Sequence, residues 1–181
     1  VDRYTQVKEF VSSWATGTEM PLVNISLSWE KNGPWIAPDY FPPYGSEKKF
    51  KELVRELKKS GHATIAYLSG LNFTIEKTAL HGAKKYRYDD SEKSLIEQSA
   101  LTSLQQKPIY FGVPAKSIGK HLKICPATPL AKKLLTDSYR TLKGYDVDII
   151  QIDQIVGGGM PNCYASTHGH PIAGSAWMFH E

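Results

Sequence analysis

Apolar residues recur at helical spacing from the first turn of the chain. "VDRYTQVKEFVSSWA" puts Tyr4, Val7, Val11 and Trp14 on one face, which predicts an amphipathic opening helix. The period then shortens. After Pro21, "LVNISLSW" alternates apolar with polar residues and is rich in β-branched ones, the mark of a strand ending near Trp29. A loop dense in proline, glycine and aromatic residues follows, "EKNGPWIAPDYFPPYG". Ser46 then caps a helix whose apolar face is Phe50, Leu53, Val54 and Leu57, and Gly61 closes it. "HATIAYL" is the next predicted strand, and "SGLNF" leads out of it.

From Thr74 to Asp90 polarity is high and no element is assigned. "DSEKSLIEQSALTSLQQ" predicts a helix with Leu95, Leu101 and Leu104 turned inward. "PIYFGV" and "LKICPAT" read as short strands or extended loop. "TPLAKKLLTDSYRTLKG" has the strongest helix signal: Thr128 suits the N-cap and Pro129 the first turn. Leu130, Leu134, Leu135, Tyr139 and Leu142 form its face, and Gly144 ends it. "DVDIIQID" follows as a strand. Helix and strand thus alternate, which argues for an α/β fold with a parallel sheet, doubly wound or barrel-like. No repeat or linker divides the chain, so 1–181 is expected to be a single domain.

Composition narrows the class. With 181 residues and 41% hydrophobic content the chain can bury a real core. Its net charge of +4 comes with lysines in scattered pairs on expected helix faces, not in a basic stripe interleaved with aromatics, so no nucleic-acid partner is expected. No run approaches the roughly 18 apolar residues of a membrane span, so no membrane partner is expected either. The two cysteines, Cys125 and Cys163, fit no spaced metal or disulfide motif. They read as two free thiols or, alternatively, one disulfide; free thiols would slightly favour a reducing compartment such as the cytoplasm, and the sequence leaves localisation open.

In parallel α/β folds, ligands and catalytic groups gather at the carboxyl ends of strands. Three loops here leave strand ends loaded with chemistry. One carries Trp29, Glu30, Trp35, Asp39 and Tyr40, and another carries Tyr67, Ser69, Asn72 and Phe73. The third, "QIDQIVGGGMPNCYASTHGH", carries Asp153, Gln154, Asn162, Tyr164, His168 and His170. Carboxylates, amides and planar aromatics suit a sugar: rings stack on pyranose faces while polar groups take the hydroxyls. Glycosidic hydrolysis calls for two carboxyl groups, and Asp153 is the first candidate for one of them. Its alternative is a cap on the following loop. Glu30 and Asp39 are weaker candidates, and Trp29 and Trp35 are either stacking platforms or packing residues.

"HGH", His168 to His170, invites a metal reading, yet it sits beside Pro171 in a loop and no cysteine or carboxylate completes an obvious set. No metal or other cofactor is therefore expected. "VGGGMP" lacks the Gly-Lys-Ser/Thr ending of a phosphate loop and the G-x-G-x-x-G of a dinucleotide site, and its glycines suit a sharp exit from the strand. Cys125, followed by Pro126, reads as a buried thiol rather than a nucleophile.

"ICPATPLAKKLLTDSYRTLKGYDVDIIQIDQI", "CYASTHGHPIAGSAW" and "PDYFPPYGSEKKFKELVRELKKSGHATIAYLSG" together resemble a little-characterised family of glycoside-hydrolase-like (β/α)8 barrels, over most of Leu22 to Trp177. That family is similar in layout to α-galactosidase-like barrels, in which an aspartate ending the fourth strand is the nucleophile. The resemblance implies that role for Asp153, with Gln154, His168 and His170 on sugar hydroxyls. Trp29 and Trp35 would be platforms, and Asp39 and Tyr67 would line the pocket. A complete barrel takes about 250 residues, so the chain looks like the N-terminal half of one. It is expected to pair with a second copy or a missing C-terminal half. Two alternatives stand beside this reading. One is a carbohydrate-binding module without catalysis, and the other is a metal-dependent hydrolase using His168, His170 and Asp153.

Overall fold

A computed structural model of the chain describes residues 2–26, 29–31, 37–76, 90–112, 120–153 and 161–174. In chain order the elements are α1 (Arg3–Thr18), β1 (Val23–Ser26), α2 (Glu47–Lys59), β2 (Ala63–Leu68) and β3 (Asn72–Glu76). Then come α3 (Asp90–Ser99), β4 (Tyr110–Gly112), β5 (Lys120–Lys123), α4 (Pro129–Gly144) and β6 (Ile149–Ile152). Internal contacts divide the chain into two units. The first is Val1–Pro34, Asp39–Leu68 and Ser138–Gln151, and the second is Trp35–Pro38, Ser69–Asp137 and Ile152–Glu181.

The first unit holds a sheet of order β1-β2-β6, with β1 and β2 parallel and in register from Val23 opposite Ala63 to Ser26 opposite Ala66. α2 forms where predicted because cap and face agree. The Ser46 hydroxyl accepts the Lys49 amide at 3.2 Å, satisfying one of the first-turn donors, and Phe50, Leu53, Val54 and Leu57 are all buried. Helix α2 packs on β2 and on α1, where Lys8 and Glu56 pair at 2.7 Å. From α1, Tyr4 and Val11 are buried, whereas Trp14 is 56% exposed, so the predicted face is narrower than its spacing implied.

The first two aspartates of "DVDIIQID" explain how β6 is set. After α4 ends at Gly144, Asp146 turns the chain in the left-handed region at φ +63°. Lys58 of α2 reaches both Asp146, at 2.8 Å, and Asp148, at 3.0 Å. The other Asp148 oxygen accepts the Thr64 amide of β2 at 2.9 Å. Strands β1 and β6 are rich in aliphatic residues. Of these, Val23, Ile25 and Ile149 stand 53%, 52% and 45% exposed, giving the sheet an uncovered apolar face among the described residues.

In the second unit β3, β5 and β4 form an antiparallel sheet, a departure from a wholly parallel reading. Leu71, Phe73, Ile96, Ala100, Leu122, Ile124 and Ala131 make its core. Helix α3 ends at Ser99, short of the predicted stretch, because Ala100 pairs with Ile124 as an isolated bridge. Its inward residue is therefore Ile96, while Leu95 and Leu104 are 54% and 67% exposed and Leu101 is buried outside the helix. On α4, Leu142 and Ala131 are fully buried and Leu130, Leu134 and Leu135 partly so, but Tyr139 is 50% exposed.

Candidate functional site

Asp153 is the first residue after β6, partly buried, and it belongs to the second unit. In the same unit Lys123 ends β5 with its side chain buried. Burial lowers the Lys123 ammonium below the ordinary lysine range, and the negative charge of Asp153 works against that lowering. A strand-end carboxylate with a buried cation beside it was half legible: the aspartate could be found from its position, but nothing in the sequence pointed to Lys123.

The remaining predicted residues divide by unit. In the first, Trp29 is 2% exposed and its indole nitrogen donates to the Tyr67 carbonyl at 2.9 Å. Tyr40, Phe41 and Phe50 surround it at ring separations of 6.1, 5.4 and 5.6 Å. Of its two readings, platform or packing residue, these ring contacts favour packing. Tyr67 is likewise buried, Asp39 is partly buried, and Glu30 is a fully buried carboxylate. Trp35 and Gln154 lie outside the described residues, as does most of "VGGGMP".

His168 and His170, in the second unit, meet partners that sequence reasoning missed. Cys125, between β5 and α4, and Cys163 are both buried free thiols. Backbone bonds hold each in place: the Cys125 amide donates to Ser99 at 2.8 Å and the Cys163 amide to Gly174 at 2.6 Å. Cys125 Sγ lies 3.3 Å from His170 Nε2, and Cys163 Sγ lies 3.3 Å from His168 Nδ1. One donor atom from each of the four side chains lies within 4.8 Å of all the others, a set that does not include Asp153.

Both histidines use their far nitrogen on the backbone. His168 Nε2 is 2.6 Å from the Gln98 carbonyl and His170 Nδ1 is 2.7 Å from the Pro171 carbonyl. A carbonyl only accepts, so each of these nitrogens carries the proton. In the neutral ring the other nitrogen then offers its lone pair to the sulfurs. Each sulfur is the largest influence on the other's thiol. This mutual influence lowers Cys163 below and raises Cys125 above the ordinary thiol range. Both ring nitrogens of each histidine are thereby engaged within the protein.

A groove of about 740 Å³ opens beside His168, lined among others by Gln98, Thr102, Gln106, Thr128, Ser166 and Thr167. Its hydroxyls and amides can hydrogen-bond a polar ligand. Among the described residues no helix is long and apolar enough to cross a membrane.

A family model described as "Domain of unknown function (DUF6259)" matches residues 3–181. No curated protein matches the sequence. Among solved structures the fold is similar to the α-N-acetylgalactosaminidase NagBb of Bifidobacterium bifidum, with a TM-score of 0.70 and 13% identity over 96% of this chain and 26% of that enzyme. It is also similar to the α-galactosidase TtGalA of Thermus thermophilus, with a TM-score of 0.54 and 9% identity over 79% of this chain and 26% of that one. The maltogenic α-amylase AmyB of Thermotoga neapolitana gives 0.53 and 10% over 81% and 34%. The chain thus spans about a quarter to a third of the length of these enzymes. Its fold is glycosidase-like, with parallel strands alternating with helices.

Proposed function

The chain belongs to the DUF6259 family, and from its glycosidase-like fold we propose that it is the part of a glycoside hydrolase that carries the nucleophile, Asp153. The observation that carries this reading is the position of Asp153 as the first residue after β6, in the sheet that also contains the parallel pair β1 and β2. Barrel enzymes set their catalytic groups at such strand ends. A carboxylate there attacks the anomeric carbon and forms a carbon–oxygen bond as the leaving oxygen departs with a proton from a second carboxyl group. Water then replaces the enzyme's oxygen. In such a mechanism the second carboxyl stands about 5–5.5 Å from the first. We assign it to a later strand of the barrel or to a second copy of the chain.

The apolar sheet face fits the same reading. Val23, Ile25 and Ile149 are the residue types that fill a barrel interior, and further strands would bury them at about 25 cal/mol per Å² of apolar surface covered. A sugar-binding module without catalysis is less well supported, since of its two stacking platforms, Trp29 and Trp35, Trp29 packs among aromatic rings.

The enzymes with similar folds direct the first substrate test to α-linked N-acetylgalactosamine and galactose. The full protein containing this chain is expected to release nitrophenol from at least one p-nitrophenyl α-glycoside of these sugars, or of α-glucose, at a rate well above the spontaneous one. Background rates across a panel of both α- and β-glycosides would overturn the glycosidase reading.

A further inference from the structure

We propose that Cys125, Cys163, His168 and His170 form a closed Cys2His2 site for one zinc ion, which ties the loop over 163–170 to the junction between β5 and α4. The inference is independent of Asp153 and of the glycosidase reading.

Donor chemistry comes first. Two thiolates and two imidazoles are a set that zinc takes in tetrahedral geometry, whereas magnesium and calcium prefer oxygen. Spacing comes second. Zinc–sulfur bonds of about 2.3 Å and zinc–nitrogen bonds of about 2.0–2.1 Å put sulfur and nitrogen roughly 3.6 Å apart on a tetrahedron's edge. The two sulfur–nitrogen separations are 3.3 Å, and all four donors fall within 4.8 Å of one another. Shifts of a few tenths of an ångström would accommodate the ion.

The outer partners are the independent observation. A metal-bound histidine usually gives its other N–H to a carbonyl or carboxylate, which fixes the tautomer and aims the lone pair. Here both do so, His168 to Gln98 and His170 to Pro171, and each aims its bare nitrogen at a sulfur. The Thr102 amide also points at Cys163 Sγ, at 3.4 Å, as amides do toward thiolates.

Charge closes the argument. On binding, the ion takes up two thiolates, any remaining S–H protons pass to solvent, and a 2+ ion with two thiolates is neutral. Neutrality suits a site where both cysteines and His168 are buried. Four protein donors leave no place for water, so the ion is structural, holding loop to scaffold, and takes no part in turnover.

The test uses the reduced full-length protein, purified without chelator. Elemental analysis is expected to find about one zinc per chain. After its removal, cobalt(II) should produce the visible bands of a tetrahedral site with thiolate-to-metal charge transfer. His170→Gln, at the most exposed of the four ligands, should weaken cobalt binding at least about tenfold, and Cys125→Ser should abolish the charge-transfer band of one sulfur. Two results would each overturn the proposal. One is a folded, reduced protein that takes up neither zinc nor cobalt from an equimolar solution. The other is a cobalt spectrum unchanged by both substitutions.

Discussion

Asp153→Asn in the full protein is expected to lower kcat by about a thousandfold or more while KM changes little. The amide keeps the shape of the side chain but cannot form a glycosyl ester, so the covalent route through the anomeric carbon closes. The side chain is partly buried and belongs to neither hydrophobic cluster of the second unit, so the substitution leaves no cavity. Some stability will still be lost, because the carboxylate's charge offsets the cost of burying the Lys123 ammonium. Loss of activity alone would therefore not separate a nucleophile from a structural ion pair. Azide does separate them. In Asp153→Gly it can enter the space left by the carboxylate and attack from the same face, yielding a glycosyl azide of inverted configuration. A structural role predicts no such product.

The second large effect is on folding. Phe50→Ala should destabilise the protein by about 3–5 kcal/mol, read as a lower urea midpoint with little change in slope. Phe50 is fully buried, and its ring lies 6.2, 5.6 and 5.9 Å from those of Tyr4, Trp29 and Tyr145. Those neighbours come from α1, the loop after β1 and the end of α4, so no single element can close over the void. Tyr139→Ala, on the exposed side of α4, should change stability by no more than about 0.5 kcal/mol. Equal effects at the two positions would mean that the aromatic cluster does not hold the first unit together.

This contrast shows why some of the fold is readable and some is not. Helices α2 and α4 can be read from local residues because cap, apolar face and terminating glycine agree within each segment. Strands β1, β2 and β6 can be read from β-branched runs. The second sheet was only partly anticipated. "PIYFGV" and "LKICPAT" suggested short strands, but antiparallel pairing is set by residues far apart, such as Asn72 opposite Lys123, which no local period encodes. The exposed side of β1 and β6 shows the converse. Val23, Ile25 and Ile149 have the composition of a buried surface, which burial within the described residues does not match.

For the candidate site the same division holds. Asp153 is visible as a carboxylate ending an apolar run. Lys123 is not, because a lysine at the end of a short strand ordinarily reaches solvent. The four-residue cluster escaped because Cys125 and Cys163 are distant in sequence and only the return of the 163–170 loop brings them together. The signal was nonetheless present: a chain with 2 cysteines places one of them five residues before a His-Gly-His. Trp29 was legible only as one of two readings, platform or packing residue, because its ring partners Tyr40, Phe41 and Phe50 are not set by local sequence.

The central claim is that Asp153 forms the covalent bond to the sugar, and one measurement tests it most directly. The full protein is inactivated with a fluorinated glycoside bearing an activated leaving group, matched to whichever sugar it hydrolyses. Mass spectrometry of its peptides then locates the label. The account predicts one sugar per chain, attached to the peptide carrying Asp153. A label on a different carboxylate, with the Asp153 peptide unmodified, would contradict it.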